Sequence, residues 1–185
     1  MRMNNDLLAG SPAPSFDDPL GMLRACHRRI EKHLATLQRL QRHVPEHGCD
    51  DEARSAARAI LRYFDNAGAN HDADEERSLL PRLIASGSTE ARAIEVRVHS
   101  DHRELAARWM GLRALLAGIA AGQRANLAPR DVGRLCAIYE GHIAYEESTL
   151  LPFAEATLDA ESRRAIGKEM AARRDVDIDA VSGGR

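Results

Sequence analysis

The sequence predicts an all-α protein: an antiparallel up-down four-helix bundle, followed by a short C-terminal helix. Three observations predict it. Apolar residues recur at steps of three and four along four long stretches, the period of a helix with one buried face. Short segments bearing Pro and Gly separate those stretches, which favours antiparallel neighbours. Aromatic residues make up only 4% of the chain, whereas Ala, Leu, Arg and Glu, which lose little side-chain freedom in a helix, abound.

Residues 1–16 read as a flexible tail rich in Asn, Gly, Ser and Pro. Asp17-Asp18-Pro19 then supplies an acidic cap and a proline suited to a first helical turn. Leu20, Leu23, His27, Ile30, Leu34, Leu37 and Val44 form the first apolar stripe, which Pro45 to Asp51 interrupt. The second helix carries Ala57, Ile60, Phe64, Ala67, His71 and Glu75 on one face, and Pro81 with Ser86-Gly87-Ser88 closes it. The third runs from about Glu90 to Ala120, with Val98, Leu105, Leu112 and Ile119 inward and His102, Trp109 and Leu116 beside them. Pro129 opens the fourth, which aligns Val132, Leu135, Tyr139, His142, Glu146 and Leu150. The bundle so read spans residues 17–158, and residues 159–185 hold a short charged helix, Asp159 to Arg173, and a tail.

A length of 185 residues suits one domain with a real core, and 44% hydrophobic against 29% charged residues excludes wholesale disorder. The net charge of −2, with acids interleaved among the arginines, offers nothing to nucleic acid or to an anionic membrane. Cys26, Cys49 and Cys136 form no Cys-x-x-Cys pair, which argues against zinc ribbons and dithiol chemistry. Free thiols suit a reducing compartment. Met1 to Ser15 lack a basic region followed by an apolar run, and no stretch reaches the ~18 apolar residues of a spanning helix. The expectation is a soluble, cytoplasmic protein.

The chemistry lies in the stripes. Each long helix puts one histidine, His27, His71, His102 or His142, into its apolar face, and Glu75 and Glu146 follow two of them at a step of four. Four residues turn a helix by only about 40° beyond a full turn, so His71 and Glu75 point the same way, as do His142 and Glu146. A lone core histidine is usually just hydrogen-bonded, but four imidazoles and two carboxylates buried without partners would cost several kcal/mol. Two dications remove that cost, and imidazole nitrogen with carboxylate oxygen suits Fe(II), Mn and Zn. The absence of His-Glu-x-x-His excludes a zincin protease, and that of Glu-x-x-His a ferritin-type carboxylate site. The segments His71–Pro81 and His142–Pro152 also agree at seven of eleven positions, as two copies of one helical hairpin would.

These motifs, His27-Arg-Arg-Ile, His71-x-x-x-Glu75-Glu-x-x-Leu-Leu-Pro81, His102-Arg-Glu-Leu and His142-x-x-x-Glu146-Glu-x-x-Leu-Leu-Pro152, resemble the hemerythrin-like, cation-binding (HHE) family over roughly residues 17–157. The resemblance implies a four-helix bundle with a non-haem di-iron centre. It implies that His27, His71, Glu75, His102, His142 and Glu146 are the metal ligands, with Glu75 and Glu146 bridging. Oxygen-carrying relatives have two histidines four apart on the third helix and a carboxylate five after the last histidine. Here His99 and His102 are three apart; His102 shares its stripe with Trp109 and Leu116 and His99 one with Arg92, Ala106 and Arg113, so His102 is expected inside and His99 at the flank. Glu147, at the five-residue step, is the alternative to Glu146. Glu147 and its counterpart Glu76 are expected to face outward or to support the ligands, and Glu31, four after His27, to lie on a solvated flank.

Four histidines, two bridging carboxylates and a bridging oxo or hydroxo group leave about two of the twelve positions on two octahedral irons open. The resulting expectation is a di-iron protein, with zinc or manganese as alternatives, that binds dioxygen or a related small molecule as carrier, buffer or sensor. The alternatives are an enzyme handling peroxide or nitric oxide, an iron-centre repair factor, and a bundle that zinc merely stabilises.

Overall fold

The structure is a computed structural model that describes residues 15–123 and 125–176. The expected tail over residues 1–14 and the frayed end over 177–185 lie outside the described residues. Helix α1 is Pro19–His47; Asp18 caps it by accepting from the backbone N–H of Gly21, and Gly48, at φ +70°, ends it. Helix α2 is one helical run over residues 51–84, capped by Asp50. Helix α3 is Thr89–Ala120, capped by Ser88. Helix α4 runs over residues 129–157 from Pro129, and α5 is Ala160–Ala172, capped by Asp159. There is no strand among the described residues, and none of their helices is long and apolar enough to cross a membrane.

Two boundaries differ from the sequence reading. Helix α1 continues through Pro45 to His47, because a proline in the last turn forfeits one hydrogen bond near an end where the ladder is already stopping. Pro81 does not end its helix either, and its repeat partner Pro152 likewise lies inside one. Each follows a π-helical turn, Glu75–Leu79 in α2 and Glu146–Leu150 in α4. A π turn shifts the hydrogen-bond ladder by one residue, and such turns concentrate at functional sites. A further π turn, Tyr63–Gly68, has no counterpart in the second hairpin.

The core has two apolar blocks. One contains Ile30, Leu37, Ile60, Leu105, Leu116 and Leu135; the other contains Leu20, Leu23, Leu80, Val98, Leu151 and Met170. Each fully buried leucine or isoleucine contributes on the order of 2 kcal/mol, so the blocks together can carry a costly polar layer between them. That layer is where the histidines fall: His27 sits between Leu23 and Ile30 along α1, and His102 between Val98 and Leu105 along α3, one neighbour in each block.

Helix α5 is part of this packing. Ile166 and Met170 belong to the second block, and Gly167 lets the helix lie against the chain at Phe16, where a Cβ would overlap the Phe16 carbonyl oxygen. Arg173 and Arg174, at its end, clamp the fully buried Asp74 of α2: Arg173 Nη1 donates to Oδ1 at 2.6 Å and Arg174 Nη2 to Oδ2 at 2.6 Å. Ser78, Glu169 and Arg82 extend the network.

Candidate metal centre

The six residues expected as ligands all lie in the layer between the two apolar blocks, and none is more than 6% exposed. They form two overlapping groups. His27, His71, Glu75 and Glu146 make one, and Glu75, His102, His142 and Glu146 the other, with the ligand atoms of each group within 4.8 Å of one another. The two carboxylates belong to both groups. Glu75 reaches His71 Nε2 with Oε1 at 3.3 Å and His102 Nε2 with Oε2 at 3.2 Å. Glu146 reaches His142 Nε2 with Oε1 and His27 Nε2 with Oε2, both at 3.0 Å. Each glutamate thus spans one histidine of its own hairpin and one of the other, which is how the duplicated sequence becomes a single site.

Two of the four ring nitrogens facing away from this centre are held from outside. Glu147 meets His27 Nδ1 at 2.6 Å and is itself held by Arg24, while Glu76 meets His102 Nδ1 at 2.8 Å. A carboxylate at Nδ1 keeps the proton there and leaves Nε2 a free lone pair for a cation. Asp101 Oδ2 stands 3.5 Å from His142 Nδ1. Neither His142 Nδ1 nor His71 Nδ1 makes a hydrogen bond among the described residues.

The fit to a metal pair rests on the atoms left without hydrogen bonds. His27 Nε2, His71 Nε2, His102 Nε2 and all four carboxylate oxygens of Glu75 and Glu146 are buried and unpaired, although nearly all buried polar atoms in folded proteins find partners. They converge instead of scattering. Burial, and then Glu146 beside it, pushes Glu75 up to about 8, and burial pushes Glu146 to about 8. Burial drives His71 well below its ordinary value and, with His102 adding to it, His142 down to about 3. Burial also opposes charge on His102, but Glu75, Asp72 and Glu76 outweigh it and carry that ring up to about 10. Cations between the two groups would hold the carboxylates ionised and the imidazoles neutral, which resolves the conflict in the metal-free arrangement.

A model of the hemerythrin HHE cation binding domain matches residues 18–154. The chain belongs to the hemerythrin HHE family. It is also 28% identical over 162 residues to an uncharacterised protein of Haemophilus influenzae, an alignment covering 88% of this chain and 93% of that one. As an HHE domain the chain is a metal-binding candidate by family and by geometry alike, and the family match stops before α5.

Of the other candidates, His99 is half-buried at the flank and Glu31 is exposed, and neither joins the two groups. Glu76 and Glu147 stand behind the histidines. Tyr139 packs on Phe64, with ring centroids 5.6 Å apart. Cys26 and Cys136 are buried in the core, and Cys49 is half-buried, its thiol donating to the Gln123 carbonyl. Trp109 packs at the edge of the core and donates to Asp65. Sequence reasoning missed Asp72, Asp74 and Asp101. Asp101 precedes His102, but one residue turns a helix by about 100°, so the stripe places it outside; only the packing of α4 on α3 brings it to His142.

Proposed function

We propose that this HHE domain is a non-haem di-iron protein that binds dioxygen or a related small molecule reversibly, as carrier, buffer or sensor. The observation that carries the reading is the sharing of Glu75 and Glu146 between two histidine pairs, His27 with His71 and His102 with His142. A lone structural ion needs one cluster; two clusters joined by two common carboxylates suit two ions acting together. The six residues would be the ligands, the glutamates as bridges. Two irons there would supply a pair of redox-active Lewis acids able to share one exogenous ligand. The chain's own part is to exclude water with the flanking apolar blocks and to fix the imidazole tautomers through Glu76 and Glu147. The six residues of the two groups offer only imidazole nitrogen and carboxylate oxygen, hard or borderline donors suited to iron, with manganese and zinc as competitors.

The test is anaerobic reconstitution with Fe(II), measurement of iron per chain, and exposure to air while the visible spectrum is recorded. The reading expects two irons per chain and an oxygen-dependent band that disappears on deoxygenation. Fast irreversible oxidation with consumption of peroxide would instead make the domain an enzyme, a reading favoured by a third-helix ligand set of one histidine. Firm zinc retention with no band would reduce the site to a structural one.

A further inference from the structure

The six ligands repeat between the two hairpins, but their surroundings do not. The repeat sets Asp72 against Ile143, the residues after His71 and His142, and Cys26 against Asp101, the residues before His27 and His102. We propose that the two metal positions are inequivalent: the one between His102 and His142 takes a divalent cation first and more tightly than the one between His27 and His71, because Asp72 and Asp101 stand beside it. The proposal rests on the di-metal reading above.

Asp72 Oδ1 lies 4.0 Å from His102 Nε2, the ring atom that faces Glu75. Its side chain is 43% exposed, so it approaches this position from the solvent edge as a carboxylate, where the repeat puts the buried, apolar Ile143 in the other half. Asp101 lies 3.5 Å from His142 Nδ1. At the equivalent place the first hairpin has the buried Cys26, which carries no carboxylate; neither His71 Nδ1 nor His142 Nδ1 makes a hydrogen bond among the described residues, but His142 Nδ1 has the Asp101 carboxylate at 3.5 Å. An acid behind an imidazole raises its basicity toward a metal, so His142 is the better donor of the equivalent pair. Arg97 Nε, 2.8 Å from Asp101 Oδ2, offsets part of that charge, which makes Asp72 the larger contributor. Glu76 and Glu147 back one histidine at each position, but Arg24, 3.3 Å from Glu147, offsets part of its charge, which also favours the position of His102.

The opposite influence acts on the first position. Asp74 lies one turn after His71 in α2, and the network around it brings Arg82, Arg173 and Arg174 against Asp74 and Glu169, three positive charges to two negative. In the second hairpin the residue equivalent to Asp74 is Tyr145, which lies under Arg97. The repeat therefore carries no matching cationic network there.

The experiment is an anaerobic titration of the metal-free full chain with Co(II) alone, followed by calorimetry and visible absorption. Two ions per chain should bind in resolved steps whose dissociation constants differ by about tenfold or more, the scale on which groups behind metal ligands act. Asp72→Asn and Asp101→Asn should each weaken the tighter step several-fold and leave the weaker one in place. His71→Ala should keep the tighter step and lose the weaker, and His102→Ala the reverse, with circular dichroism confirming a folded chain. Two equal, unresolved steps, or Asn variants that move neither, would overturn the inequivalence while leaving a two-metal site intact. Fewer than two ions on the unaltered chain would overturn the di-metal reading and this inference with it. Asp72 is half-exposed, so its variant tests the proposal even if a buried substitution fails to fold.

Discussion

Asp, Glu and His side chains at this centre have opposing protonation preferences, and their sum sets how the metal-free chain responds to pH. Glu75 and Glu146, carried from 4.5 to about 8, hold protons in the fold that the unfolded chain releases, so stability falls as pH rises between those values. His102, carried from 6.5 to about 10, contributes stability that is full below 6.5 and lost as pH rises toward 10. His71 and His142, lowered from 6.5, act the other way: their contribution is lost as pH falls below 6.5. The metal-free melting temperature should therefore change little from pH 4.5 to 6.5, where the effects oppose, and drop from pH 6.5 to 10. A melting temperature that climbs between pH 7 and 9 would contradict the burial of these groups. Glu76→Gln and Glu147→Gln remove the charge behind His102 and His27 without removing a ligand. Each should weaken Fe(II) binding by about 10- to 100-fold, read by competition with a chelator.

Among the elements, the π turns at Glu75–Leu79 and Glu146–Leu150 occur at the same place in both hairpins, immediately before Leu80-Pro81 and Leu151-Pro152. A proline lacks the N–H that an α ladder needs, and the widened turn accommodates it. The Leu-Leu-Pro motif is thus legible in hindsight as a marker of the distorted turn, although by propensity it reads as a helix end. Helix α5 is the other element whose role tertiary contact decides. Its Arg173 and Arg174 neutralise an Asp74 that is 0% exposed, and removing the partners of a buried charge typically costs about 3–5 kcal/mol. The double variant Arg173→Ala/Arg174→Ala should lower the stability of the metal-free chain by on the order of 3 kcal/mol, visible as a lower denaturation midpoint. Adding Asp74→Asn to that variant should restore part of the loss; no recovery would mean that Asp74 was not the group left uncompensated.

For the whole molecule, two apolar blocks enclose a polar layer that a monomeric chain cannot satisfy from its own hydrogen bonds. Metal binding is then linked to folding. Fe(II) or Co(II) loading should raise the melting temperature, and His71→Ala or His142→Ala should diminish that rise along with the bound metal. An unchanged metal content in those variants would remove the assignment of both residues.

The periodic stripes, the acidic cap at Asp17-Asp18, and the six core-facing histidines and glutamates could all be read before any coordinates, because helical spacing is local and puts residues four apart on one face. The duplication of His71–Pro81 in His142–Pro152 further marked the two carboxylates as equivalents. What local spacing could not supply was partnership across helices: that Glu75 meets His102 and Glu146 meets His27, that Glu147 and Glu76 stand behind histidines of the opposite hairpin, and that Asp74 is buried beneath two arginines about a hundred residues away. Those pairings depend on the azimuth and depth at which helices pack, which no helix encodes alone, so only the tertiary structure decided them.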